Sequence, residues 1–235
     1  MKYIFAFLFT AFLSQSFAQT IINDKNAEIR NIGLFSGIKV SGGIDVYLSQ
    51  GNEYALAVSA SEDKYRDNIK AEINNGILTL SYAGGSLRFS ENRNLRAYIS
   101  FKTLASIEGS GACDFKFSET FKANSLRLKL SGACEIKGSI DINNLDVNVS
   151  GASTIKVNGS VQNMKIDASG ASDIKNYDLV ADNCIANLSG ASDVKLTVNK
   201  SVSVKASGAS TFNYKGSPDI REVNTSGASS VSQRN

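Results

Sequence analysis

The sequence predicts an all-β protein built as a single-stranded parallel β-solenoid, or β-helix, and three observations predict it. A short polar phrase, SGASDIK at 169–175 and SGASDVK at 189–195 in its fullest forms, returns seven times. Apolar residues recur at fixed even offsets from each copy. The composition interleaves Gly, Ser, Asn and Ala with branched aliphatic residues, and one proline is present. That is an ordered, strand-rich composition and not that of a flexible linker.

The repeat is marked by Gly111, Gly132, Gly151, Gly170, Gly190, Gly208 and Gly227, at spacings of 21, 19, 19, 20, 18 and 19. A fixed period of this size is the signature of a solenoid. Four residues after each glycine stand Phe115, Ile136, Ile155, Ile174, Val194, Phe212 and Val231, all apolar. The positions two, four and six before it are mainly apolar as well, the last running from Ala105 to Arg221. The opposite parity is polar. Three after the glycine come Asp114, Glu135, Thr154, Asp173, Asp193, Thr211 and Ser230; five after it come Lys116, Lys137, Lys156, Lys175, Lys195, Asn213 and Ser232. Period-two alternation with one parity apolar describes strands with one buried face. A coil of about 19–20 residues makes two or three short strands with corners and returns one rung higher, about 4.8 Å away. No coil buries its interior alone, so the coils stack. Parallel crossovers favour the right-handed form.

Ser-Gly-Ala reads as the corner. Glycine permits the turn, the small neighbours let corners pile up, and serine hydrogen-bonds the turning backbone. The residue two after each glycine (Cys113, Cys134, Ser153, Ser172, Ser192, Ser210, Ser229) shares the inward parity and fills the inner corner.

Residues 27–101 read as a less regular β region that caps the stack, and 102–233 as the repetitive solenoid, with 27–233 allowed as one continuous domain. Alternation marks strands at 38–40, 44–48, 54–58, 77–80 and 95–99; SGGIDV (41–46) is a degenerate corner phrase, and the charged stretch 61–70 is a short helix or an irregular link. Terminal coils differ from internal ones because an open end exposes strands and core. The seventh copy lacks a strong apolar tail, which suits a closing rung.

The first 18 residues, MKYIFAFLFTAFLSQSFA, place a lysine before a short apolar run, with small residues at Ser16 and Ala18. That is the order of a signal peptide, and the run is too short to span a bilayer. An exported chain of 217 residues starting at Gln19 is expected, with no integral membrane segment after signal removal, in the periplasm, associated with the outer membrane, or outside the cell. Formal charge is +3 for the whole chain, which gives no reason to expect nucleic acid as partner.

No catalytic, metal or cofactor site stands out. The chain has no histidine, which removes a Ser-His-Asp triad and histidine metal ligands. Seven equivalent serines argue for a shared structural role. Asp173 and Asp193 fall one rung apart, but Lys175 and Lys195 stand beside them, so charge pairing is the expectation rather than a calcium site with six to eight oxygens. Carboxylates that break the repeat are Glu91, Glu108 and Glu119, the faint candidates for a polysaccharide-cleaving enzyme. Phe115, Phe117, Phe212 and Tyr214 fall on inward parity as wide core layers. Cys184 falls in the core as well. Cys113 and Cys134 share a column in adjacent coils, within reach of a disulfide; the other reading is two buried thiols acting as small apolar residues.

FSGIKVSGGIDVYLSQGNEYALAVSA (35–60), followed by the repeated SGAS-type phrases, resembles the putative auto-transporter adhesin head domain, also called the GIN domain, a domain of unknown function from the Bacteroidota. The resemblance covers about residues 30–230. It implies a β-solenoid-like fold and a secreted or envelope-associated protein, and it supplies no catalytic residues. Together these readings predict a non-enzymatic interaction protein whose partner is a protein or glycan at the cell surface or envelope. The alternatives are a polysaccharide-binding or polysaccharide-cleaving β-helix, and a self-associating envelope component.

Overall fold

A computed structural model describes residues 24–84 and 93–235. The expected signal segment and Glu91 lie outside these residues. In chain order the elements are β1 (Glu28–Arg30), β2 (Gly37–Ser41), β3 (Asp45–Gln50), β4 (Ala55–Ser59), α1 (Asp63–Arg66), β5 (Ile69–Asn74), β6 (Ile77–Tyr82), β7 (Arg96–Phe101), β8 (Ser106–Gly111), β9 (Asp114–Phe117) and β10 (Phe121–Gly132). There follow β11 (Glu135–Val149), β12 (Thr154–Ala168), β13 (Asp173–Leu188), β14 (Asp193–Ala206), β15 (Thr211–Lys215), β16 (Asp219–Thr225) and β17 (Ser230–Gln233).

The parallel β-solenoid is present, with about seven turns. Each central coil is one long bent strand of 14–16 residues closed by an SGA corner. Register follows the repeat columns: Ile136 lies opposite Ile155, Leu145 opposite Met164 and Val149 opposite Ala168. Within β11 the buried positions fall in three runs, Ile136, then Ile140 and Ile142, then Leu145, Val147 and Val149. Gly138 separates the first two runs, and the exposed pair Asn143–Asn144 separates the last two. Two neighbouring exposed residues break the inside–outside alternation, so the chain turns there. With the SGA corner this gives three sides per coil. One hydrophobic core runs from Phe35 to Tyr214. Each fully buried Ile or Leu in it contributes about 1.5–3 kcal/mol.

The corner glycines stack on one another. Gly170 adopts φ +74°, and a Cβ there would sit 2.6 Å from the Gly151 carbonyl oxygen. Small size and positive φ are both required. The inner-corner column forms a ladder: Ser172 Oγ donates to the Ser169 carbonyl at 2.7 Å and Ser192 Oγ to that of Ser189 at 2.9 Å. The outer serines do less; Ser131 and Ser207 reach carbonyls of the preceding rung at 3.3 Å.

The amino-terminal strands join the stack out of chain order. β2 lies parallel between β6 and β8, and β3 parallel between β7 and β9. SGGIDV is therefore in register with the other corners, Ser41 opposite Ser110 and Asp45 opposite Asp114. Beyond this rung, β5 pairs antiparallel with β6, β4 with β7, and β1 with β4. The charged stretch 61–70 contains the one-turn α1.

Five positions depart from the column expectations, and all lie at the ends of the array. Ala105 is exposed, because the chain enters β8 from the cap and Leu104, 2% exposed, fills the inward place instead. Arg221, Val223 and Thr225 belong to β16, all of whose residues are exposed because no further coil among the described residues covers it. Asn213, expected outside, is only 5% exposed, because the closing segment crosses it and Arg234 Nε donates to its Oδ1 at 2.9 Å.

Candidate functional site

The interior is apolar apart from the inner-corner serines and cysteines, so most charged and amide groups stand in outward columns. The first outward side follows each corner. Its inner column reads Arg96, Asp45, Asp114, Glu135, Thr154, Asp173, Asp193, Thr211 and Ser230. Its outer column reads Tyr98, Tyr47, Lys116, Lys137, Lys156, Lys175, Lys195, Asn213 and Ser232, in rung order. The lysines are held by the acids. Lys175 Nζ lies 2.9 Å from Asp173 and 3.8 Å from Asp193, and Lys195 Nζ lies 3.3 Å from Asp193. Glu135 pairs with Lys137 in its own rung and with Lys156 one rung on. Burial acts to raise the Glu135 pKa, but the hydrogen bonds from Lys137 and Lys156 outweigh it, and the carboxyl titrates below its ordinary value. Asp173 and Asp193 do lie opposite each other in the register, as charge pairs with lysine. Among the described residues no group of three or more Cys, Asp or Glu gathers to hold a metal.

The second outward side precedes each corner, and two grooves among the described residues lie on it. One, of about 500 Å³, runs over the corner-proximal half of the side, lined by Asn148, Asp167, Asn187, Lys205 and Asn224 with the serines of successive corners. The other, of about 640 Å³, covers the distal half, lined by Arg127, Asp146, Lys165, Asn163, Asn183 and Ile185 among others. An asparagine ladder organises it: Asn163 Nδ2 donates to Asn144 Oδ1, and Asn183 Nδ2 to Asn163 Oδ1, each at 3.1 Å. Ser201 Oγ extends the ladder to Asn183 Oδ1 at 2.8 Å. Asp167 accepts from Asn187 Nδ2 at 2.8 Å and pairs with Lys165 at 2.8 Å. Burial acts to raise its pKa, but these two partners hold it below the ordinary aspartate value. Ile185 stands 55% exposed within this polar surface. Such a side can offer amides, hydroxyls and paired charges to a ligand at rung spacing. It presents no isolated nucleophile with a base beside it.

The corner glycines are brought into one column, as their spacing requires. Phe115, Phe117, Phe212 and Tyr214 are all buried. Glu108 and Glu119 are not brought together: Glu108 lies on β8 opposite Lys129, whereas Glu119 is exposed in the link between β9 and β10. Cys113, Cys134 and Cys184 are buried thiols. The asparagine ladder went unnoticed in the sequence, although the columns could have shown it: Asn144, Asn163 and Asn183 all stand seven residues before a corner glycine.

The family described as "Putative auto-transporter adhesin, head GIN domain" matches residues 34–218, the whole run from β2 to the start of the last coil. The chain belongs to that family. Solved structures share the GIN-domain fold. A crystal structure of a putative adhesin from Bacteroides fragilis superposes with a TM-score of 0.82 at 20% identity, over 88% of this chain and 96% of that one. A putative adhesin from Parabacteroides merdae gives 0.71 at 16% identity, over 89% and 95%. A structure described as a putative lipid binding protein, from Parabacteroides distasonis, gives 0.68 at 19% identity, over 90% and 98%. No curated protein matches the chain. Among the described residues no helix is long and apolar enough to cross a membrane.

Proposed function

We propose that this GIN-domain chain is a non-enzymatic, exported or envelope-associated interaction protein, adhesin-like in action, that binds its partner on the side preceding the corners. The observation that carries the reading is the pair of grooves lying next to each other on that one polar side, over a backbone fixed by stacked rungs. A rigid surface with repeated amide, hydroxyl and charged groups suits an extended partner, because little ordering is needed on binding. The family's description as an adhesin head supports a surface or envelope location.

Purified protein should retain a partner from an envelope extract or a glycan array. Asn187→Trp, which fills the first groove from an outward position, should abolish that retention while leaving thermal stability unchanged. Retention of nothing by the unmodified chain, or equal retention by the variant, would sink the proposal.

Polysaccharide binding is the second reading, favoured by the amide and hydroxyl lining of the first groove. A cleaving enzyme has less support, since Glu108 and Glu119 stand apart. Glycan cleavage lost on replacing either acid would overturn the non-enzymatic reading. One neighbour's description as a lipid binding protein gives a further arm, binding to phospholipid vesicles. Self-association would use the carboxyl-terminal end, where Ile220 and Val223 are exposed.

A further inference from the structure

Two of the seven inner-corner positions carry sulfur in place of oxygen, and they are neighbours. Cys113 and Cys134 lie on adjacent parallel rungs at the same place in the coil. Glu135 N–H donates to the Cys113 carbonyl at 3.0 Å, and Gly111 lies opposite Gly132, which fixes the register on both sides of the pair. Adjacent parallel strands are about 4.8 Å apart, inside the range of Cα separations that a disulfide spans. Both thiols take the rotamer of the corner serines. Cys113 Sγ and Cys134 Sγ each donate to the carbonyl three residues back, Ser110 and Ser131, at 3.3 Å. They therefore lie side by side on adjacent rungs, at 0% and 1% exposure.

We propose that Cys113 and Cys134 form a disulfide when the chain folds in the presence of a disulfide-bonded oxidant, and that this bond staples the first regular coil to the next. In the exchange the thiolate of one cysteine attacks the oxidant's disulfide and expels a thiolate. The second cysteine then attacks that mixed disulfide and expels the other half of the oxidant. The Sγ–Sγ bond forms, the oxidant's S–S bond is lost, and the two cysteine protons pass to the released thiolates. The neighbouring thiol draws Cys134 below its ordinary pKa and pushes Cys113 above its own, which favours Cys134 as the attacking group. Bond formation requires rotation about the two Cα–Cβ bonds and gives up two weak thiol–carbonyl bonds.

The place of the pair gives the bond its role. Cys113 lies one rung from the SGGIDV corner, which joins the stack out of chain order, with Ser41 opposite Ser110 and Asp45 opposite Asp114. A bond from Cys113 to Cys134 therefore ties the first regular coil, and the inserted rung packed on it, to the coil above. Cys184 supplies the internal control. It lies in the core, away from the corner column, and burial pushes its thiol up to about 12.

The test uses the full chain, reduced and unfolded, then refolded in a mixture of oxidised and reduced glutathione, alkylated in denaturant and weighed intact. One alkylated thiol is expected, with a mass lower by two hydrogens before alkylation and a linked peptide joining Cys113 to Cys134. Reduction should lower the melting temperature by several degrees, on the order of 5–10 °C. Cys184→Ser should keep the bond. Cys113→Ser should lose it and still fold, because serine is what the other corners carry. Three alkylated thiols, a lasting mixed disulfide with glutathione, or a bridge through Cys184 would each overturn the proposal.

Discussion

At Gly170 two requirements meet that separate at Gly111, the first glycine of the column. Its φ is +74°, and its missing side chain makes room for the carbonyl of Gly151 one rung below. Gly111 shares the positive φ, +87°, but a Cβ there would find only the Gly42 nitrogen, at 3.8 Å. Gly111→Ala should therefore cost about 1–2 kcal/mol for the left-handed backbone alone, and Gly170→Ala clearly more, about 2–4 kcal/mol, because neighbouring backbone must move as well. Denaturant unfolding of the two variants checks the order. Equal losses would mean that the corners do not depend on close stacking. The sequence made this column legible, since glycine recurs where nothing larger fits. It did not separate the roles of the two small residues around it. Ser169 and Ser172 look alike in SGAS, yet only the inner one, Ser172, makes a short bond to the corner carbonyl. Parity already placed Ser172 inward; which of the two serines bonds the corner carbonyl depends on the corner's dihedral angles, and those are absent from a residue pattern.

The elements at the two ends obey different physics from the coils between them. At the amino end, strands close the stack by antiparallel pairing, and Asp24 anchors the approach to β1 by accepting from Tyr98 Oη at 2.7 Å. Burial, followed by that hydrogen bond, pushes the Tyr98 phenol up to about 12. A tyrosine with a raised folded pKa contributes stability that is whole below the unfolded value near 10 and is lost as pH rises through about 12. Difference absorbance on alkaline titration should show one tyrosine ionising last, and Asp24→Asn should bring it down toward the others. An unchanged titration in the variant would refute the assignment. At the carboxyl end, β16 is an edge strand blunted by Pro218 before it, by a register shift beside Arg221, and by Asp219, Arg221 and Glu222 along it. Replacing Arg221 and Glu222 together by valine should raise the solution mass with concentration, as edges pair. An unchanged mass would show that another feature keeps the ends apart. These ends were the least legible part of the sequence. Their strands carry weak copies of the repeat, SGGIDV at one end and the seventh phrase at the other, and a period does not say in which order a rung joins the stack. The same limit hid Asn213, whose column said outward while the closing segment came to lie across it.

For the whole molecule, stability should behave as a sum over stacked coils and their shared faces rather than as a single packed globule. The coils were legible because one period sets core, corner and surface together; the grooves were not, because they depend on how three sides are set against one another. The additive view makes a strong claim about deletion. Removing residues 152–170, 19 in all, joins Gly151 to Ala171 and restores the phrase SGASDIK. Every column then keeps its offset, Ile136 meets Ile174 in place of Ile155, and one rung is lost. Removing Lys165 alone takes away far less but shifts parity along the rest of that arm, turning Asp167 inward and Ala168 outward. The 19-residue deletion should therefore leave a folded β protein with a cooperative thermal transition at a modestly lower temperature. The single deletion should broaden the transition or abolish it. Circular dichroism through thermal unfolding compares the two. A chain that tolerates the loss of Lys165 better than the loss of a whole coil would not be held together by register, and the ladder faces would then need another origin.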